Sequence, residues 1–115
     1  IGHGIKSWGD EEAVELLRAR GILLEICPTS NVLTSSVPSI QEHPIRKLRD
    51  AGVRVSINSD DPHLMGIDLV HEYALCAAYH GFDLPAFAAS NRAALEASFL
   101  DPDARAHAAR RLAAG

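Results

Sequence analysis

The chain has 115 residues, of which 47% are hydrophobic and 23% are charged, and its formal net charge is −4. This is the size and composition of one soluble globular domain. The acidic balance, without a basic stripe, argues against a nucleic-acid backbone as partner. No apolar run approaches the roughly 20 residues that span a bilayer, so we expect no membrane partner.

The start of the chain and its cysteines add two expectations. The chain begins with Ile1, and its only methionine is Met65, so we expect the C-terminal piece of a longer protein. Cys27 and Cys76 are far apart and form no paired-cysteine motif. We therefore expect two buried, reduced thiols in a cytoplasmic protein, and the spacing argues against a zinc site built on cysteines.

The first half of the chain alternates between helix and strand. Asp10 can cap a helix that runs to about Arg20. Gly21 then suits the helix end, and an apolar run over residues 22–27 predicts a strand. Residues 28–42, rich in Pro, Ser and Thr, are predicted to form a loop, and loops of this length are often functional.

The same pattern repeats 31 residues after Gly21. Pro44 is predicted to take the first position of a short helix ending near Asp50. Gly52 again precedes an apolar strand, over residues 53–58, and this alternation is typical of a parallel α/β fold. Along that strand Val53, Val55 and Ile57 form an apolar face that would meet helices. Arg54, Ser56 and Asn58 form a polar face that would point into a barrel.

Three more helices are predicted after the second strand. Apolar spacing indicates one helix through residues 67–77 and another through residues 84–95, with Pro85 near the start of the second. Asp101 followed by Pro102 is typical of the beginning of a third. Because no strand separates the last two helices, we interpret them as a terminal helical extension.

Two adjacent carboxylates, Asp60 and Asp61, directly follow the second strand, and Pro62 ends it. Acidic residues after a strand are how an α/β barrel presents catalytic groups at its open end. Such a pair can bind a metal, accept a proton or hold a polar ligand, and the alternative is an ordinary helix-capping Asp. If the pleat continued, Asp60 would share the inward parity and Asp61 would not, which predicts different roles for the two.

Ile1 followed by Gly2-His3-Gly4 is typical of the end of a strand that enters a loop, which would make three successive strands. The polar segments that follow them would lie at the same end of a parallel sheet: Gly2-His3-Gly4, Cys27-Pro28-Thr29-Ser30-Asn31 and Ser59-Asp60-Asp61-Pro62. Together with three further motifs they resemble the adenosine deaminase family, in the amidohydrolase group of metal-dependent barrels: His43-Pro44, Ala51-Gly52 and Ser98-Phe99-Leu100. The resemblance covers essentially the whole chain. It implies that residues 1–115 are the C-terminal part of a single metal-dependent (β/α)8 TIM barrel domain with a helical C-terminal extension.

The resemblance also implies roles for four residues. Asp60 matches the carboxylate that binds the catalytic zinc and can take a proton from the attacking water. His3 matches the histidine that orients the zinc-bound hydroxide and stabilises charge as the ring is attacked. Asp61 matches the carboxylate that hydrogen-bonds the purine imidazole nitrogen, and Gly4 lies where a small residue lets substrate approach the backbone. One zinc ion per site is implied, and its other ligands and the general-acid glutamate would precede Ile1.

The implied activity is hydrolytic deamination of adenosine, or a related 6-aminopurine nucleoside, to an inosine-type product and ammonia by a zinc-activated water. The partner is then a small-molecule purine nucleoside. Deamination of adenine or a modified adenosine, another amidohydrolase reaction, and a non-catalytic interaction module are the open alternatives. Alone, the 115-residue chain would be inactive, and it would self-associate or need the missing barrel part, because three strands leave open edges.

The remaining histidines form no zinc-binding spacing. His63, close to the two carboxylates, is expected near the mouth of the pocket. We expect His71, His80 and His107 to be solvated on helices or at their ends. His43, just before a proline, is expected to serve the loop or a helix cap.

Overall fold

The computed structural model describes residues 1–114, which form a mixed α/β fold with two short strands, most of the described chain being helical. A 3-10 turn over Ile5–Ser7 comes first. The elements then follow in chain order: α1 (Glu11–Ala19), β1 (Leu23–Ile26), α2 (Pro28–Leu33), α3 (Ile45–Asp50), β2 (Arg54–Ile57), α4 (Pro62–Met65), α5 (Leu69–His80), α6 (Leu84–Ala97) and α7 (Pro102–Ala114).

The two strands are parallel, with Leu23 opposite Arg54 at one end of the ladder and Ile26 opposite Ile57 at the other. The start of the chain pairs with the free side of β1, since Gly2 forms a parallel bridge to Glu25. Three chain segments therefore run in the same direction and end at one edge. The predicted parallel α/β arrangement is confirmed within residues 1–114, with the first segment reduced to a single bridge.

The core lies between this sheet and the helices that cover it. Leu24 and Ile26 of β1 are fully buried, as are Ile45 and Leu48 of α3. These four side chains belong to one apolar cluster, whose other members lie in or beside several elements: Ile5, Leu17, Val37, Val53, Val55, Ile57, Cys76 and Phe82. The burial of Val53, Val55 and Ile57 confirms the predicted apolar face of the second strand.

Local signals place most helix ends correctly. The Asp10 carboxylate accepts a hydrogen bond from the Ala13 amide (3.0 Å) and starts α1. Gly21 and Gly52 follow α1 and α3 with φ of 61° and 84°, a conformation that glycine adopts without a Cβ penalty. Pro44 lies one position earlier than predicted: α3 begins at Ile45, and Pro44 is the capping residue before it.

Residues 28–42 are not all loop, so that prediction was wrong for the first six residues, which form α2. Their Pro-Thr-Ser-Asn composition is typical of a turn. The first turn of α2 is instead satisfied from far along the chain, because the buried Glu72 carboxylate of α5 accepts a hydrogen bond from the Thr29 amide (3.0 Å). A cap supplied by a residue 43 positions away leaves no local sequence signal.

The last two helices differ in their relation to the sheet. α6 covers β2, and Glu96 accepts a hydrogen bond from Arg54 of that strand (2.6 Å). α7 packs mainly on α6. The helical extension beyond the α/β layer is therefore α7, while α6 belongs to the layer. Among residues 1–114, every helix is too short or too polar to cross a lipid bilayer.

Candidate functional site

His3 and Asp60 meet at the edge where the parallel segments end. Their side chains are partly exposed, and His3 Nε2 lies 3.9 Å from Asp60 Oδ2. Both residues have a left-handed backbone, with φ of 56° and 59°. His and Asp tolerate this conformation better than most residues, but it still costs free energy and is concentrated at functional sites. The proximity predicted from the sequence is observed.

The N-terminal half of α2 contributes a second polar contact to Asp60. Ser30 Oγ donates a hydrogen bond to Asp60 Oδ2 (2.7 Å), and Ser30 is almost completely buried. The short α2 is held in place by Glu72, so the hydroxyl is fixed relative to the sheet edge. The same oxygen of Asp60, Oδ2, therefore accepts the hydrogen bond from Ser30 and lies closest to His3.

A chain of side-chain hydrogen bonds leads away from His3 into the interior. His3 Nδ1 lies 3.1 Å from Asn31 Nδ2, and Asn31 Oδ1 lies 3.0 Å from His43 Nε2. His43 Nδ1 accepts a hydrogen bond from the Ile45 amide (3.1 Å) at the start of α3. His43 thus serves the cap predicted for it and also bonds to the segment after β1.

Asp61 follows Asp60 directly, and its side chain caps the next helix. Its Oδ1 accepts a hydrogen bond from the Leu64 amide (3.0 Å), which caps α4. The side chain is exposed and lines neither of the two cavities that His3 and Asp60 share within residues 1–114. The two carboxylates thus have different surroundings, and the second oxygen of Asp61 is not used by the cap.

Gly4 follows His3 in the same left-handed region, with φ of 70°. A Cβ at this position would lie 2.6 Å from Cδ2 of Leu24, a fully buried side chain of β1. The absence of a side chain is therefore required by the core beneath Gly4. Gly4 also lines the larger cavity together with His3.

A cavity of about 570 Å³ opens beside His3 and Asp60. Its polar side is formed by these two residues with Ser30 and Asn31, and its other walls are largely apolar: Leu16, Leu17, Ile22 and Leu24. Small-molecule sites typically have this size and combine apolar walls with a few converging polar groups. The edge of the sheet can therefore accommodate a small molecule next to the His3–Asp60 pair.

Three potential metal-binding side chains converge at this edge within residues 1–114. Ligand atoms of His3, Cys27 and Asp60 all lie within 4.8 Å of one another. Imidazole nitrogen and carboxylate oxygen are donors that Zn²⁺ accepts, so this pair fits a zinc site. Burial, together with the negative charges of Asp60, Glu72 and Glu25, raises the pKa of the Cys27 thiol to about 11. The neutral thiol is a poor ligand, because zinc binds the thiolate.

The other histidines divide into exposed and buried groups. His71 and His107 are exposed, as predicted, and His63 is exposed on α4. His80 is buried, contrary to the prediction, and its Nε2 donates a hydrogen bond to the Ile40 carbonyl (2.7 Å). The helix pattern showed that His80 lies at the end of α5 but could not show that the segment before α3 covers it.

Sequence reasoning also missed the roles of Ser30 and Asn31. Both lie in the Cys-Pro-Thr-Ser-Asn segment, which was identified as a motif without a role for either side chain. Their buried, hydrogen-bonded positions follow from α2, which was predicted as loop. A polar Ser-Asn pair a few residues after a buried strand was the only local signal for them.

Comparison with known proteins identifies relatives of this chain. The sequence profile of the adenosine deaminase family matches residues 1–114. The chain is 45% identical over 106 residues to adenine deaminase from Rhizobium rhizogenes, covering 92% of the chain and 33% of that protein. It is 45% identical over 103 residues to adenosine deaminase from Plasmodium falciparum, covering 90% and 28%. It is 46% identical over 109 residues to aminodeoxyfutalosine deaminase from Streptomyces coelicolor, covering 95% and 28%.

Solved structures share the fold. Adenine deaminase from Arthrobacter aurescens matches with a TM-score of 0.91 and 27% identity, covering 98% of this chain and 35% of that one. A zinc-bound amidohydrolase from Burkholderia ambifaria matches with a TM-score of 0.83 and 24% identity, covering 97% and 32%. The chain thus spans about a third of the length of the relatives it matches.

Replacing Gly4 by alanine is expected to destabilise the fold. The backbone at this position is left-handed, and a residue with a Cβ adopts that conformation at a cost of about 1–2 kcal/mol. The new Cβ would also displace the Leu24 side chain. The free energy of unfolding, measured by urea titration, should fall by at least this amount. Gly2→Ala is the matched control, since its Cβ would meet no atom within 4 Å. Equal stability of the two variants would show that the fold does not require glycine at position 4.

Acid is expected to destabilise the fold through His43. Burial, and then the neighbouring His80, lowers the pKa of His43 from 6.5 to about 4. Below pH 6.5 the unfolded chain binds a proton that the folded chain takes up only near pH 4, so the free energy of unfolding falls across this window. At about 1.4 kcal/mol per tenfold change in proton affinity, the loss approaches roughly 3 kcal/mol.

Urea titrations between pH 6.5 and about pH 4 test whether His43 causes this loss of stability. His43→Gln lacks the titrating ring, so its stability should depend less on pH than that of the wild type. His71→Gln, at an exposed position, is the control and should keep the wild-type slope. If His43→Gln also kept that slope, His43 would not be the group responsible.

Proposed function

We propose, since this chain belongs to the adenosine deaminase family, that the protein containing it hydrolyses the amino group of adenosine or a related 6-aminopurine nucleoside. The products are an inosine-type nucleoside and ammonia. The observation that carries the proposal is the approach of His3 to Asp60, 3.9 Å apart at the edge where the parallel segments end. This is the edge at which α/β barrels carry their chemistry.

The proposal extends to the fold of the whole protein. The chain would supply the closing strands and helices of a (β/α)8 barrel, and the rest of the barrel would come from the part of the relatives that it does not cover. Support comes from the TM-score of 0.91 to an adenine deaminase nearly three times as long. The site would be completed by residues of that remaining part.

The substrate is proposed as a class rather than a single compound. The relatives named above are deaminases with different substrates: adenine, adenosine and aminodeoxyfutalosine. Their identities to this chain are nearly equal, so similarity does not rank the three. Adenosine is preferred because the family profile carries that name, and adenine or a modified adenosine is the alternative.

Zinc is the proposed cofactor, one ion per site, with Asp60 among its ligands. Support comes from the nitrogen and oxygen donors at the sheet edge and from the zinc-bound relative of similar fold. When bound, zinc supplies a nucleophile at neutral pH by lowering the pKa of a coordinated water to about 7. Ser30 holds the Asp60 carboxylate in place through its hydroxyl.

The residues of this chain then have distinct tasks. Asp60 accepts the proton that the attacking water releases, and His3 stabilises the charge that develops when the ring is attacked. Asp61 holds the purine through a ring nitrogen, using the carboxylate oxygen that does not cap α4.

Replacing Asp60 by asparagine in the protein at its natural length should abolish most activity. We expect kcat to fall by about 100-fold or more, the scale of acid–base catalysis, and bound zinc to decrease. Asp61→Asn should raise KM while zinc is retained, since asparagine still caps α4. Asp101→Asn, at the start of α7, is the control. Ammonia release and zinc content are measured for all four proteins.

A substrate panel separates the candidate functions. Adenosine, adenine and modified adenosines are compared by kcat/KM with the zinc-loaded protein. The highest value for adenosine supports the proposal, and a higher value for adenine or a modified nucleoside assigns the substrate accordingly. Full activity of Asp60→Asn would refute the role of Asp60. No ammonia from any aminopurine would favour the non-catalytic alternative.

A further inference from the structure

We infer that Asn31 and His43 are positioning residues that fix the tautomer of His3, so that its proton lies on Nε2 and faces Asp60. The inference deepens the proposed function, on which its catalytic consequence rests. The tautomer itself can be measured without any activity. It follows from the direction of three consecutive hydrogen bonds, of which one has a donor that cannot be reversed.

That fixed donor is the backbone amide of Ile45. An amide N–H can only donate, so His43 Nδ1, 3.1 Å away, must accept. His43 is 2% exposed, and its burial favours the neutral ring. A neutral imidazole with an unprotonated Nδ1 carries its proton on Nε2. His43 therefore donates from Nε2 to Asn31, across 3.0 Å.

The direction of this bond orients the side-chain amide of Asn31. Oδ1 must face His43, because only the oxygen of the amide can accept. The amide nitrogen then faces His3, with Asn31 Nδ2 3.1 Å from His3 Nδ1. Because Nδ2 donates, His3 Nδ1 accepts, and the proton of the neutral ring lies on Nε2. That nitrogen is the one 3.9 Å from Asp60 Oδ2.

The two relaying residues are held firmly. Asn31 is 3% exposed, and its backbone carbonyl accepts hydrogen bonds from the amides of Ser36 (2.9 Å) and Val37 (3.1 Å). The His43 ring packs edge-on against His80, which is itself fixed by its bond to the Ile40 carbonyl. Rotation of the Asn31 amide would place its nitrogen against the protonated Nε2 of His43, so that two donors would face each other. The relay therefore has one stable direction.

The tautomer determines what His3 can do in the site. A protonated Nε2 is a hydrogen-bond donor, suited to an oxygen that carries or develops negative charge between His3 and Asp60. It has no lone pair with which to accept a proton from the attacking water. Within the pair, proton acceptance is thereby left to the Asp60 carboxylate.

Replacement of Asn31 by aspartate is the sharpest test. A carboxylate offers only acceptors, so the bond to His3 reverses and draws the proton from Nε2 to Nδ1. Asn31→Leu removes the donor and leaves the tautomer unfixed. Asn91→Asp is the matched control, since Asn91 lies on α6 and bonds to Tyr73 instead. His43→Gln retains an N–H that can reach Asn31, and His43→Leu does not.

The measurement is long-range ¹H–¹⁵N NMR of the ¹⁵N-histidine-labelled protein at its natural length. The His3 resonances are assigned by a His3→Gln variant. We expect Nε2 protonated and Nδ1 bare in the wild type, Asn91→Asp and His43→Gln. In Asn31→Asp, the Nδ1 resonance should move to the protonated position, and the Asn31→Leu and His43→Leu resonances should be intermediate.

Kinetics give a second readout on the same variants. If the proposed deaminase activity is present, Asn31→Asp should lower kcat by about 10- to 100-fold, the typical effect of a residue that orients a site histidine, with a smaller change in KM. A wild-type His3 protonated on Nδ1, or an unchanged tautomer in both Asn31 variants, would overturn the inference even if deamination is observed. The predicted tautomers in an inactive protein would uphold it while refuting the proposed function.

Discussion

The parallel register of β1, β2 and the segment at residues 1–3 is the constraint on which the site depends. Pairing of Gly2 with Glu25, and of Ile26 with Ile57, brings the ends of three segments to one edge. His3 and Asp60 are 57 positions apart in the sequence, yet their side chains approach to 3.9 Å at this edge. A shift of one residue in either ladder would turn one of the two side chains away.

α2 converts that edge into a polar site. It is a six-residue helix with no side-chain cap of its own, and Glu72 supplies the missing acceptor from α5. Ser30 and Asn31 lie on its second half-turn, so one short element supplies a hydrogen-bond donor both to Asp60 and to His3. The polar groups that orient the site are thus buried, while the pair that would meet a ligand stays partly open to solvent.

Sequence reasoning succeeded where the physics is local. The caps at Asp10 and Asp101, the glycines after α1 and α3, and the apolar face of β2 depend on residues a few positions apart. The family, and with it the His3–Asp60 pair, was reached from three motifs in a fixed order.

Distant packing accounts for what the sequence could not show. The start of α2 depends on Glu72, and the burial of His80 depends on the carbonyl of Ile40. The pleat of β2 does not continue to Asp60, because the strand ends at Ile57 and Asp60 has a left-handed backbone, so parity could not show that Asp61 caps α4. Each of these facts requires knowing which elements lie against each other, and no periodicity in a single chain contains that information.

The hydrogen bond between Asn31 and His43 also joins the two ends of the segment at residues 32–42. A connection whose ends are already tied tolerates changes in length at little entropic cost. Thr34 and Ser36 of this segment line the cavity, so a change in the length of the segment near them would reshape that wall while Asn31 and His43 stay tied to each other. This stretch is the natural point at which to graft new sequence, by design or by evolution, when the entrance must admit a differently shaped molecule.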